Sequence, residues 1–259
     1  MKFALISGER REAEPGLTGE CPVHGHTMVA RCGDLRTWHW AHTGSLSCDP
    51  WWENETEWHR AWKGLFPDDW QEYVHHAEDG ERHIADVKTR EGWVLEFQHS
   101  HITPQERQSR EAFYQSLIWV VDGLRRKRDL AQFARAWASG ESRNPLSNKR
   151  RLPSPTGALL RDWAGSRAHV FFDFGEGQPL WWVFPASDDV RAYVQHVSRA
   201  QFIRIHQNTG LREFDSLVDN FSAFIAQYES PPPSFQPHKL AEIPPRPQRL
   251  PMIRRHFRF

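Results

Sequence analysis

Two acidic residues stand inside two short, otherwise apolar runs. The runs are His83-Ile84-Ala85-Asp86-Val87-Lys88 and Trp93-Val94-Leu95-Glu96-Phe97-Gln98, with Arg90-Glu91-Gly92 between them. β-branched and aromatic residues dominate both, so the pattern predicts two β-strands joined by a turn. An ionised carboxylate is costly to bury without a cation or a hydrogen-bonding partner. Side chains alternate along a strand, so Glu96 and Gln98 point to one face. Two acids on neighbouring strands suit a hard divalent cation such as Mg2+, which takes oxygen ligands and keeps waters and a phosphate oxygen in its shell. The pattern points to metal-assisted phosphodiester hydrolysis. Structural ion pairs also place carboxylates on strands, so the neighbouring residues must decide.

Upstream lies Glu55-Thr56-Glu57-Trp58-His59. Trp58, Ala61, Trp62 and Leu65 recur at helical spacing. Downstream come Ser100, Ile102, Arg110 and Tyr114, then Leu117-Ile118-Trp119-Val120-Val121-Asp122, which reads as a buried strand. This order of elements resembles the PD-(D/E)xK nuclease superfamily and, more narrowly, the competence protein CoiA-like nuclease family. The resemblance covers residues 20 to 125. It rests on Glu-Thr-x-x-His, Ala-Asp-Val, Glu-Phe-Gln-x-Ser, Arg-x-x-x-Tyr and Ile-Trp-Val-Val. It implies an α/β core with a mixed sheet flanked by helices. It implies that Asp86 and Glu96 bind the catalytic Mg2+ or Mn2+ and that Glu55 completes the site from the helix. Gln98 stands where most of the superfamily has Lys, as expected of the CoiA-like branch. Glutamine is neutral and only orients water or phosphate, so Lys88 or a nearby His becomes the candidate for the missing positive charge. His59 and Lys63 share a helix face with Glu55. They read as support or phosphate contacts, against an exposed charge pair. Arg110 offers a planar fork to phosphate, against a salt bridge to a site acid, and Tyr114 follows one turn later.

The chain has 259 residues and 39% hydrophobic content, enough for one large domain or two small ones. Its 13 Trp imply a core built with large rings, with any exposed ring a stacking platform for unpaired bases. Net charge is formally zero, so overall electrostatics announces no nucleic-acid binder. Charge is nevertheless uneven. Asp68, Asp69, Glu72, Glu78, Asp79 and Glu81 form an expected acidic patch. Arg125-Arg126-Lys127-Arg128, Lys149-Arg150-Arg151 and the segment from Lys239 are basic, which suits a phosphate backbone. No apolar stretch is long enough to span a membrane, and the first residues are too short an apolar run for a signal peptide. Three Cys without a secretory signal argue for a reducing cytoplasm.

All three Cys fall early, among His24, His26, His39 and His42. Cys21-Pro-Val-His24 and His39-Trp40-Ala41-His42 have ligand-pair spacing for tetrahedral zinc. The CoiA-like resemblance implies a Cys-Pro-x-Cys knuckle before a His-Phe-Ala-His segment, so Cys21, His24, His39 and His42 are the preferred Zn2+ ligands. Cys32, Cys48 and His26 are substitutes. A segment with so few aliphatic residues needs such a staple to fold.

The expected organisation is a zinc-ribbon-like module (1–50), the nuclease core (51–140), a linker (141–158), an α+β region (159–229) and a Pro-rich basic arm (230–259). Within the third and fourth segments, Ser142 to Gly157 reads as a loop. His169–Phe174 and Leu180–Phe184 read as a hairpin. Ser187 caps a helix through Val190, Val194 and Val197, and a second helix runs from Leu211 to Tyr228. The leading expectation is a cytoplasmic Mg-dependent deoxyribonuclease acting in DNA processing, competence or phage defence. Its partner is DNA, with RNA as the other candidate, and the arm joins a second copy or a partner protein. The rival is a catalytically inactive nucleic-acid-binding or scaffold protein that keeps the fold. A zinc hydrolase built on the His cluster is weaker, because no general base is evident.

Overall fold

A computed structural model describes residues 1–44, 49, 51, 55–77, 80–144, 146–154, 156–185, 187–188, 190–207 and 211–229. Cys48, Glu78, Asp79 and the basic arm from residue 230, all invoked above, lie outside the described residues.

Among the described residues the chain is a mixed α/β protein with two sheets. The first is antiparallel and contains β1 (Phe3–Ile6), β2 (Glu9–Glu12), β3 (Thr18–Glu20), β4 (Thr27–Arg31) and β5 (His39–His42), in the order β2-β1-β3-β4-β5. Its small core gathers Ala4, Cys21, Met28 and Trp40. The second contains β6 (Gln71–His76), β7 (Arg82–Lys88), β8 (Val94–Gln98), β9 (Leu117–Asp122), β10 (Lys149–Pro153), β11 (His169–Asp173), β12 (Leu180–Val183) and β13 (Arg191–Val197). Their order is β10-β13-β12-β11-β9-β8-β7-β6. β9 runs parallel to β8 and β11, and the other pairs are antiparallel. Helices α1 (Glu57–Lys63), α2 (Pro104–Phe113), α3 (Asp129–Ala138), α4 (Ala158–Trp163), α5 (Arg199–Gln207) and α6 (Leu211–Glu229) flank it.

Helices on both faces explain why all of β9 is apolar up to Asp122. Val120 joins a core with Trp62, Phe97, Phe171, Trp182, Phe202 and Phe221. Its neighbours Trp119 and Val121 join the opposite core with Phe133, Leu160, Trp163 and Phe172. Trp62, Trp119 and Trp182 are fully buried, so these rings build the core, and truncating any of them to Ala would cost about 3–5 kcal/mol.

Three expectations are corrected. Residues 191–197, expected to be helical, form a strand instead. Val194 and Val197 fit either period, but Ala192, Tyr193, Val194 and Gln195 are all buried in β13 between β10 and β12. Ser187 caps no helix; its hydroxyl oxygen accepts the Tyr193 N–H at 2.9 Å. The 141–158 stretch is not only a linker, because Lys149–Pro153 is an edge strand. Charged side chains suit an edge, and Arg150 covers the Trp137 ring at 4.8 Å while Leu152 is buried. Residues 149–197 extend the sheet that holds Asp86 and Glu96.

Candidate functional site

The site forms where β7 parts from β8. Their ladder holds at Lys88↔Val94 and Val87↔Leu95. One step further the register sets Asp86 against Glu96. There the Asp86 carboxylate takes over the ladder's role, with Oδ2 accepting the Phe97 N–H at 2.9 Å. On the other side of β7, Glu72 falls between the pairs Gln71↔Val87 and Tyr73↔Ala85, so it too lies across from Asp86. Glu72 has φ +46°, which a non-glycine residue rarely adopts. Its carboxylate accepts the backbone N–H groups of Lys2 at 2.6 Å and Phe3 at 3.0 Å. Glu72 is buried, so it does not belong to the expected surface patch of acids. Burial opposes its charge, but Lys63, the chain's amino group and those two N–H groups hold its carboxyl down at about 2.

Helix α1 supplies the cation. Thr56 is its N-cap, and the hydroxyl accepts from the His59 N–H while His59 Nδ1 accepts the Thr56 N–H at 3.2 Å. This reciprocal box caps the helix at Thr56 and starts it two residues after Glu55, so Glu55 precedes the helix and is not on it. Trp58 and Trp62 anchor α1, both donating their indole N–H to Asp173 Oδ2 at 3.0 and 2.9 Å. The face that also holds His59 carries Lys63 into the cleft. Its Nζ pairs with Glu55, with Glu72 at 3.3 Å and with Asp86 at 3.8 Å. Burial would lower the Lys63 pKa, yet these carboxylates outweigh it and hold the group above the ordinary lysine range. His59 and Lys63 are both buried, so they are not an exposed charge pair. Lys88, the other candidate for the positive charge, lies over the Tyr73 ring at 4.2 Å instead.

Arg110 approaches from α2. Its guanidinium donates to Glu96 Oε2 at 3.2 Å, Glu106 Oε1 at 2.6 Å and the Trp51 carbonyl at 2.7 Å. The salt-bridge reading of Arg110 therefore describes its contacts. Burial first, then Asp86, pushes the Glu96 carboxyl well above the usual range, with Arg110 opposing. Glu96 Oε1 is buried and has no hydrogen-bond partner among the described residues. That orphaned oxygen beside Asp86 fits a hard cation. The cleft is lined by Asp49, Glu55, His59, Lys63, Glu72, Asp86, Glu96 and Arg110.

Gln98 and Tyr114 do not line the cleft. Gln98 is buried, with Nε2 donating to the Ser100 carbonyl at 3.3 Å. Tyr114 is buried at the end of α2 against Trp51 and His75. Burial, then Glu96, pushes its hydroxyl above the ordinary tyrosine range.

Sequence reasoning missed Asp49, Glu72 and Asp173. Asp49 Oδ1 meets His83 Nδ1 at 2.9 Å, and Oδ2 accepts the Ile84 N–H at 2.7 Å. A loop residue such as Asp49 has no periodicity to betray it. Asp173 ends β11 and could have been flagged by the same rule as Asp86, an acid within an apolar run.

A second cluster belongs to the small sheet. Cys21, His24 and His42 bring ligand atoms within 4.8 Å of one another. After Cys21 the chain turns tightly. The Gly25 N–H donates to the Cys21 carbonyl at 2.8 Å, Gly25 has φ +71°, and the Val23 N–H reaches Cys21 Sγ at 3.3 Å. His24 Nδ1 is buried with no hydrogen-bond partner among the described residues. A thiol and two imidazoles, one with an orphaned ring nitrogen, suit a metal ion. His39 is not in this group. It lies three residues before His42 on β5, and an odd spacing on a strand sends the two side chains to opposite faces. Its Nδ1 lies 2.9 Å from the Thr37 carbonyl oxygen. His26 packs beside His24 with its ring tilted and centroids 4.3 Å apart, but it and Cys32 are also outside the group.

No helix among the described residues is long and apolar enough to cross a membrane. Comparison with protein-family models, curated proteins and solved structures finds no match to this chain.

Proposed function

We propose that the acidic cleft hydrolyses phosphodiester bonds of DNA, as the resemblance to PD-(D/E)xK and CoiA-like nucleases implies. One observation carries this reading. Glu55 ahead of α1, Asp86 on β7 and Glu96 on β8 converge on one cleft around a buried lysine. Asp86 and Glu96 would hold Mg2+ or Mn2+. When bound, the ion supplies a Lewis acid for the phosphate and a lowered pKa for water. Lys63 offsets the charge that grows on the scissile phosphate, the role that Gln98 cannot perform. Arg110 fixes Glu96. His59, held by its capping bonds to Thr56, presents a polar ring to the cleft wall. Cys21, His24 and His42 would hold a structural Zn2+. The basic arm from Lys239 would follow the nucleic-acid backbone or join a partner protein or second copy.

A second reading has its own support. Lys63 already meets three carboxylates, and such a built-in counterion suits an inactive nucleic-acid-binding protein. Incubating the protein with linear, circular and single-stranded DNA, and with RNA, separates the two. Cleavage that needs Mg2+ or Mn2+ and is lost in Asp86→Asn is the expected outcome. Binding without cleavage in either ion leaves the second reading.

A further inference from the structure

Beside the acidic cleft lies a wider groove of about 720 Å3, between the β4–β5 loop and the start of α1. Its walls are residues 33–39 on one side and Glu55, Thr56, Glu57 and Arg60 on the other. Met1 and Glu55 line both the groove and the cleft, so the two are continuous. Arg60 ties them together. Its Nη2 donates to the Trp38 carbonyl at 2.7 Å, and its Nε pairs at 2.6 Å with Glu55, the acid that also meets Lys63. The loop turns apolar side chains to solvent: Leu35 is 98% exposed and Trp38 47%. Trp38 is the one exposed tryptophan among the described residues. Its ring stacks on no other ring among them, and its indole N–H has no hydrogen-bond partner there. Because Arg60 fixes the backbone beneath it, the ring is held ready for a ligand.

We propose that this groove holds an unpaired base of single-stranded DNA, stacked on the Trp38 ring, while a phosphate of the same strand enters the acidic cleft. The assignment rests on the hydrolytic reading above and names its substrate class. Charge in the groove favours a base over a phosphate, because Asp34, Glu55 and Glu57 outnumber Arg36 and Arg60. A flat neutral ring gains from an exposed indole what an anion cannot. Every base has a π-face, so such a platform accepts any sequence. In a duplex those faces are covered by the neighbouring base pairs. Trp38 therefore selects strands whose bases are free, and the shared wall of Met1 and Glu55 leads the strand on to Asp86 and Glu96.

The test measures binding of fluorescein-labelled single-stranded DNA and of the matching duplex, with Ca2+ in place of Mg2+ to spare the strand. Wild type should bind the single strand more tightly. Trp38→Ala should weaken that binding about 10-fold, the scale of one lost base–aromatic stack, and Trp38→Phe should weaken it much less. The salt dependence of binding should not change, because no phosphate contact is lost. Strands carrying a single abasic site, moved along the sequence, read the contact itself. At one position the missing base should weaken binding by wild type and make no further difference to Trp38→Ala. Equal single-strand affinity of wild type and Trp38→Ala, an abasic loss that persists in Trp38→Ala, an equal loss on the duplex, or tighter binding of RNA of the same sequence would overturn the assignment. Cleavage tests the hydrolytic reading separately. If wild type cuts DNA with Mg2+ or Mn2+ while Trp38→Ala binds and cuts single strands equally well, only the base site falls. If wild type binds strands through Trp38 but cuts none, the base site stands and the hydrolytic reading falls.

Discussion

At the scale of single residues, the cleft is held by a balance of buried charges. Lys63 is the shared partner of Glu55, Glu72 and Asp86. Replacing it with Met would strand these acids and should destabilise the protein by about 3–5 kcal/mol, read by urea unfolding at pH 7. Glu96 behaves in the opposite way. Its folded pKa is raised, so the folded state holds a proton that the unfolded state releases above about pH 4.5. Stability is therefore full below that value and is lost as pH rises toward the folded pKa. Glu96→Gln keeps the shape and an acceptor for Arg110 but has no charge to desolvate. It should raise Tm at pH 7 in metal-free buffer while abolishing cleavage. Added Mg2+ should then raise the Tm of wild type and not of the variant. A lower Tm for Glu96→Gln would mean that Arg110 neutralises Glu96 more fully than its burial opposes it.

At the scale of elements, alternation decides which residues meet. It was legible for Asp86, Glu96 and the two strands that carry them, because an acid in an apolar run is conspicuous. It also bears on His39 and His42, whose ligand-like spacing reads differently once they lie on a strand. The protein should carry zinc as purified without chelator, measured by elemental analysis. Cys21→Ser, His24→Ala or His42→Ala should lose it, and His39→Ala should keep it. Zinc lost with His39→Ala but kept with His42→Ala would reverse the ligand set. Lys63 was visible only as a helix-face residue. Its partner Glu72 was hidden in an acidic run because its role depends on a left-handed backbone and on contacts with Lys2 and Phe3, far away in sequence. Strand β13 was obscured because valines three and four apart fit a helix as well as a two-sided strand.

At the scale of the whole molecule, the eight-stranded sheet is locked to α5 and α6 by an aromatic core that contains two histidines. The Trp182 indole N–H donates to His169 Nδ1 at 3.2 Å, so protonating that nitrogen would break the bond. His206 Nδ1 lies 2.7 Å from the Phe202 carbonyl oxygen, and Nε2 is buried without a hydrogen-bond partner among the described residues. Burial lowers both pKa values to about 4, and mutual repulsion with His206 adds to the effect at His169. His75, half-buried and near Lys88, is lowered in the same direction. Protons therefore bind the unfolded chain more tightly. Stability is full above the ordinary histidine value of 6.5 and is lost as pH falls from there toward about 4. Each of the two core histidines could cost about 3 kcal/mol over that range. Glu72 adds its own loss only as pH falls through the interval from 4.5 to about 2. Glu96 works in the opposite direction as pH falls, but the two core histidines outnumber it, so thermal unfolding between pH 7.5 and 5 should show Tm falling. The double variant His169→Phe, His206→Leu should flatten that slope, whatever its effect on Tm at neutral pH. A slope as steep as that of wild type would place the acid sensitivity outside this core.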